Sequence, residues 1–262
     1  MIQLAFTRRS SGRTRPAAVL AIALAAASLV AVTLTGPVTA TATTAASNQA
    51  GSYQAASLRF TTTKPGRPTG LAFRVDYVNP GDPSAKPPAV REVFEVLAEG
   101  ARFDTRAPAR CTASDAELML QGAAACPAGS RVGTGYLRLD TGLPAPARYI
   151  EADITFLNNI GELIFVNTDR LTGARVVVRA AVTARTALSR APFLPGTPPD
   201  GAAVDVARGF FPTKVTWRGG VRRSYVTTPG TCPRSRVWVN LVRFTYDDGT
   251  VQTVRTRNAC ER

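Results

Sequence analysis

The residues of this chain that could do chemistry are few, and one type is missing altogether. There is no histidine, which removes the Ser-His-Asp triad, the Cys-His pair and the usual zinc hydrolase sites. Only three lysines occur, Lys64, Lys86 and Lys214, and the one beside a serine, in Ser84-Ala85-Lys86, lies in a proline-rich loop that suits no Ser-Lys scheme. Carboxylates are left: Glu92, Glu95, Glu99, Asp104, Glu151, Asp153 and Glu162. Glycoside hydrolysis needs two facing carboxyl groups, one of them protonated. Glu151 and Asp153 are the best placed pair, because a spacing of two puts both on one face of a strand with their side chains about 7 Å apart. An ordinary solvated strand face explains the same spacing, so a non-catalytic domain is the expectation and these two residues mark the alternative.

Cofactor and metal signals are weak. Gly133-Thr134-Gly135 is half of a nucleotide fingerprint, without the third glycine and with a strand rather than a helix after it. Asp247-Asp248-Gly249 reads as a hairpin turn rather than a calcium loop, since the twelve-residue ligand pattern is absent. No cofactor is expected, and no metal either, because the cysteines are widely spaced and have no histidine beside them. Cys111, Cys126, Cys232 and Cys260 form an even set, which in an exported chain reads as two disulfides. Three pairings are possible. Cys111–Cys126 and Cys232–Cys260 are favoured because each closes a local loop, constraining the unfolded chain by about 3 to 4 kcal/mol in the loop-entropy model.

Two further candidates are binding surfaces. The densest arginine clusters are Arg218, Arg222, Arg223 and Arg255, Arg257, Arg262, which would suit an anionic polymer or phospholipid. A solvated basic surface accounts for scattered arginines equally well. Phe210 and Phe211, between Gly209 and Pro212, are expected in a loop as an exposed apolar contact. The aromatic residues Trp217, Tyr225, Trp238, Phe244 and Tyr246 would suit carbohydrate stacking if exposed, or ordinary core packing.

The N-terminus sets the compartment. Arg8, Arg9, Arg13 and Arg15 precede an alanine-rich run from Ala17 to Val32, apolar except for Ser28. Small residues around Ala40 and Ala42 then complete the three parts of a secretory signal. The apolar run has 16 residues, short of the roughly 20 that span a bilayer. Arg8-Arg9 also invites a twin-arginine route. The expected organisation is a signal peptide over 1–42, a disordered lead-in over 43–54 and a single β-rich domain over 55–262, with no transmembrane span in the mature chain. Four of the +14 charges leave with the signal, so +10 remains on the mature chain. Extracellular or cell-envelope location argues against nucleic acid as a partner, none is expected, and no recognition motif for it is visible.

The elements follow from period-two alternation, as in Leu71, Phe73, Val75 and Tyr77, and from turns rich in proline, glycine and asparagine. Ser114 to Gln121 is the one persuasive helix, with Ser114 and Glu117 in a capping-box spacing and Gly122 to end it. The fold class is therefore all-β: an antiparallel β-sandwich or a strongly curved sheet with one short helix.

Three segments together carry a resemblance: Cys126-Pro127-Ala128-Gly129-Ser130-Arg131-Val132-Gly133-Thr134-Gly135, Thr227-Thr228-Pro229-Gly230-Thr231-Cys232-Pro233 and Phe244-Thr245-Tyr246-Asp247-Asp248-Gly249. Over about residues 60–260 the chain resembles uncharacterised secreted proteins of actinobacteria. That resemblance implies export and brings no activity, cofactor or site residue with it. The functional expectation is an exported, non-catalytic envelope or extracellular domain that binds an anionic polymer, a lipid or a protein. The alternatives are a carboxylate-dependent hydrolase of envelope carbohydrate and a carrier of a small apolar ligand. The intact mass of the exported protein, taken without reductant, is expected to start after Ala40 or Ala42 and to be four protons short of the fully reduced chain.

Overall fold

Strands dominate because alternating apolar residues and turn chemistry recur along the chain. The computed structural model describes residues 54–191 and 201–261; the expected signal peptide, most of the lead-in and residues 192–200 of the loop expected between Ser189 and Ala202 lie outside them. In chain order the strands are β1 (Gln54–Phe60), β2 (Pro68–Thr69), β3 (Leu71–Tyr77), β4 (Val90–Val96), β5 (Arg102–Phe103), β6 (Arg131–Asp140), β7 (Tyr149–Asn159) and β8 (Glu162–Asp169). They continue with β9 (Arg175–Val182), β10 (Thr186–Arg190), β11 (Ala203–Phe211), β12 (Val215–Arg218), β13 (Val221–Ser224), β14 (Val226–Thr227), β15 (Val237–Tyr246) and β16 (Val251–Ala259).

Eleven of these form one antiparallel sheet in the order β1-β3-β11-β6-β7-β8-β9-β10-β4-β15-β16. It is the strongly curved sheet, not the sandwich, that the chain adopts, and it curls until its two edges meet. Eleven is an odd number, so β1 and β16 run in the same direction and the antiparallel ladder cannot continue across the join. Side chains close it instead. The Asn240 amide donates to the Leu58 carbonyl at 2.9 Å and accepts from the Ala98 amide at 2.7 Å. Asn258 donates to the same carbonyl at 3.1 Å and accepts from the Phe60 amide at 2.9 Å. The Thr256 hydroxyl adds a third donor at 3.0 Å. At the other end of the seam Gln54 donates to the Tyr246 hydroxyl, which donates to Gln252 at 3.0 Å. All three residues that meet Leu58 are buried, so none of these groups can fall back on water.

Both disulfides pair as expected. Cys232–Cys260 lies beside the seam, in a cluster with Ala98 and Trp238, and Phe60 of β1 meets Trp238 of β15 edge to face at 5.8 Å. Cys111–Cys126 holds the short helix α1 (Asp115–Gln121) on the outer face of the sheet. The helix has the expected capping box, Ser114 with Glu117. It buries Leu118 against Leu157, Ile164 and Val166, outward residues of β7 and β8. Arg179 of β9 clamps its start through Asp115 at 2.7 Å and the Ala113 carbonyl at 2.9 Å. No helix among the described residues is long and apolar enough to cross a membrane.

One expectation is corrected. Phe210 and Phe211 do not form a loop: β11 runs through both, and alternation sends them to opposite faces. Phe210 is 51% exposed, whereas Phe211 is buried against Phe156 with ring centroids 4.6 Å apart. The pattern was hidden because Gly209 and Pro212 bracket the pair like turn residues.

Asn240→Ala is expected to lower unfolding stability by about 3 kcal/mol, since it strands the Ala98 amide and weakens the Leu58 carbonyl's coordination in a buried place. Urea denaturation monitored by the near-UV signal of Trp238 checks this. A loss under about 1 kcal/mol would mean that the seam contributes little.

Candidate functional site

On one side the inward faces of the curved sheet pack together, with Tyr77 of β3 against Phe244 of β15 at 5.8 Å, but elsewhere they do not meet. They enclose a chamber of 860 Å³, within the range of small-molecule sites and far beyond the voids ordinary cores contain. Its width comes from small residues at inward positions: Ala152 on β7, Ala180 on β9, Ala187 on β10 and Ala207 on β11 all line it. Larger residues there would have filled the space.

The floor is aromatic. Phe156 lies against Phe165, edge to face at 5.0 Å, and against Phe211. These rings need bare backbone beside them. A Cβ on Gly135 or Gly209 would come within 3.0 or 3.2 Å of the Phe156 ring, and one on Gly133 within 2.9 Å of Phe211. The glycines of Gly133-Thr134-Gly135 thus seat the floor from the middle of an antiparallel strand and form no phosphate cradle. A register shift between Arg131 and Gly133 marks the bulge that glycine in a strand predicts. Phe103 and Tyr225 complete the floor with ring centroids 6.1 Å apart. Tyr225 is held where the chain passes from β13 to β14: its amide donates to the Lys214 carbonyl at 2.9 Å, and its own carbonyl accepts from the Asp104 amide at 2.8 Å. The opposite end is the mouth, where Tyr149, Arg170, Arg190 and the 93% exposed Leu171 stand at the rim.

Few polar groups face the apolar interior. Glu95 of β4 shares the inward phase with Val93, and its partners in register are Ala187 on β10 and Val242 on β15. Burial alone pushes its carboxyl up to about 7, and among the described residues no donor or basic side chain meets it. Near neutrality it is therefore poised between acid and carboxylate. Burial also pushes the Tyr77 phenol far above its ordinary range, and the nearby Tyr246 and Glu95 add to the rise. Tyr225 is raised by burial too; it is 1% exposed, and among the described residues its hydroxyl has no hydrogen-bond partner. Asn167 of β8 also lines the chamber and donates to the Val176 carbonyl at 3.2 Å.

Of the residues singled out from sequence, Glu95, Tyr225 and Phe211 line the chamber; most of the others lie elsewhere. Glu151 and Asp153 share a strand face as predicted, but it is the outer one, and Arg170 lies between them, 3.3 Å from Glu151 and 2.6 Å from Asp153. The guanidinium also stacks over the Tyr136 ring at 4.6 Å. Two carboxyl groups joined by one arginine form an ion-pair clamp on the outer face and do not stand across a cleft from each other. Arg218, Arg222 and Arg223 lie on the β12–β13 hairpin; Arg223 bonds Asp104 at 3.2 Å, and exposed Arg222 is directly opposite Trp217, 70% exposed. Of the other aromatic residues, Trp238, Phe244, Tyr246 and Tyr225 are buried, which is core packing. Glu95 was within reach of sequence reasoning: Val93, Glu95 and Leu97 occupy one strand phase, and an acid on an apolar phase was the available sign.

The chain matches no protein-family model, no curated protein and no solved structure.

The raised Glu95 carboxyl sets a pH dependence. The folded state holds its proton up to about 7, while the unfolded chain releases it near 4.5. Between those values the native state binds more protons, so stability falls as pH rises, by up to about 3 kcal/mol, and stays low above 7. Asp82, Asp169, Glu117 and Glu261, whose carboxyls are lowered by hydrogen bonds or an ion pair, act below this window and with the opposite sign. No histidine titrates within it. Urea unfolding at pH 4.5 and 7.5 is expected to show the decline in the native protein and to lose it in Glu95→Gln; an equal slope in both would remove Glu95 as its source.

Proposed function

We propose that this chain is an exported carrier or binding protein that takes a small apolar ligand into the chamber of its curved sheet. The observation that carries this reading is the chamber itself: 860 Å³, walled by apolar side chains, with an aromatic floor and a mouth at the other end. An empty apolar space of that size would be far too costly for a domain to keep. In the absence of ligand it must therefore hold water, which apolar walls bind poorly. A ligand that buries about 300 Å² of its own apolar surface there gains roughly 7 kcal/mol before ordering costs. Closed antiparallel sheets hold small ligands in this manner elsewhere. Two disulfides and a secretory type of N-terminus support placement outside the cytosol.

A second reading, adhesion to an anionic envelope polymer or lipid, has the β12–β13 hairpin behind it, where exposed Trp217 faces exposed Arg222 across the strands. Indole beside guanidinium is a pairing suited to a charged interface. The two readings are compatible, because the hairpin is on the outer surface and the ligand would be inside.

Nile red, a neutral dye that brightens in apolar surroundings, is expected to bind the native protein saturably at one site. Ala180→Trp, which extends an indole into the lumen, is expected to weaken that binding at least about tenfold while a cooperative urea transition is retained; Ala187→Phe serves as a second filling variant. Absence of dye binding, or undiminished binding in both variants, would overturn the assignment.

A further inference from the structure

We infer that the chamber selects ligands carrying a protonated nitrogen, an amine on an apolar body, and that Glu95 is the residue that recognises it. This rests on the chamber being the ligand site. Among the described residues the inward surface has a carboxyl group and no base: the chamber's arginines, Arg170, Arg190 and Arg208, are exposed. Arg170 is held by Glu151 and Asp153, and Arg190 by Glu92 at 3.3 Å.

The surroundings of Glu95 are accounted for on each side. On β10 its register partner is Ala187, with Ser189 next on the same face; on β15 it is Val242, with Phe244 beyond. From β3 comes Tyr77, whose phenol feels both Glu95 and Tyr246. None of these can supply a positive charge. Nor do the described residues spend any hydrogen bond on the carboxyl. A carboxylate among apolar walls without a partner is costly, and the fold elsewhere avoids the situation. Asp140, more enclosed than the half-buried Glu95, is bonded by Arg148 at 3.0 Å and by the Gly142 amide at 2.8 Å. An ammonium group entering the chamber would meet a carboxylate in a low-dielectric setting, where a charge-assisted bond is strong. An alcohol would gain only a neutral hydrogen bond, and a carboxylate would be repelled.

The Tyr225 hydroxyl is fully enclosed beneath the floor and has no partner among the described residues. It is out of a ligand's reach and neutral, so it does not alter the sign of the selectivity.

The test is displacement of Nile red from the whole protein by decylamine, decanol and decanoic acid, which share a ten-carbon body. At pH 8 decylamine is expected to compete at about tenfold lower concentration than decanol, with decanoic acid the weakest. At pH 5, where Glu95 is protonated, the amine's advantage is expected to fall to about twofold. In Glu95→Gln the amine is expected to lose about tenfold at pH 8 and come level with the alcohol. Equal competition by amine and alcohol in the native protein would overturn the inference and leave the chamber reading standing. So would an equal loss for both ligands in Glu95→Gln. Failure of the native protein to bind Nile red at all would remove the chamber reading itself.

Discussion

The Leu58 carbonyl is where the sheet closes. Three side-chain donors from β15 and β16 converge on it, Asn240, Thr256 and Asn258, and two of them return a bond to a backbone amide of the facing chain. An even-stranded antiparallel sheet could have closed with its own ladder. With eleven strands the edges run parallel, and buried amide side chains substitute for the missing backbone partners. The substitution works because asparagine carries both a donor and an acceptor on a short, stiff stem. The staple beside it is covalent: Cys232–Cys260 and the Phe60–Trp238 contact hold the ends of β1, β15 and β16 together. Were the edges apart, the concave face would be a broad apolar trough open to water, which few monomers tolerate.

Closure and emptiness are linked. Alanines at inward positions leave the chamber wide, so the sheet forgoes much of the burial that normally stabilises a domain of this length. Compensation comes in part from the packed side of the interior, where Val75, Tyr77, Val242, Phe244 and Tyr246 are buried together. The helix and its disulfide bury Leu118, Leu157, Ile164 and Val166 on the outer face. The Arg179 clamp draws Asp115 and Glu162 together, at 2.7 Å from each. The aromatic floor is packed tightly enough to need glycine at three inward backbone positions. Stability is thus placed in the shell, the floor and one packed side, and the chamber is left free.

How much of this could be read from the chain depends on how local the signal is. Strand phases, the capping box at Ser114 and both disulfide pairings were legible, because each is written within a few residues or within one loop. Val237 to Tyr246 alternates, with Trp238, Asn240, Val242, Phe244 and Tyr246 on one phase, but nothing local says that an asparagine on that phase closes a sheet. Its partner Leu58 is 182 residues away, and Asn258 reaches the same atom from 200. Sandwich and curved sheet share the same alternation, so only these distant contacts decide between them. Phe211 was misplaced for a related reason. Gly209 resembles a turn residue locally, yet its role is to admit the Phe156 ring from another strand.

Glu95 and the pair Glu151 and Asp153 show how position, and not residue type, decides what a carboxylate can do. The pair has the spacing that first attracts notice, yet alternation turns both outward and an arginine satisfies them. Exposed ion pairs of that kind contribute little to stability. Glu95 has no neighbouring acid and no suggestive spacing. It is turned inward among Ala187, Val242 and Val93, and its carboxyl rises to about 7 for want of any compensation. A leucine there would pack the wall at no such cost. Keeping an acid against apolar walls makes physical sense if its partner arrives from outside, and the sheet around it has the room that partner would need.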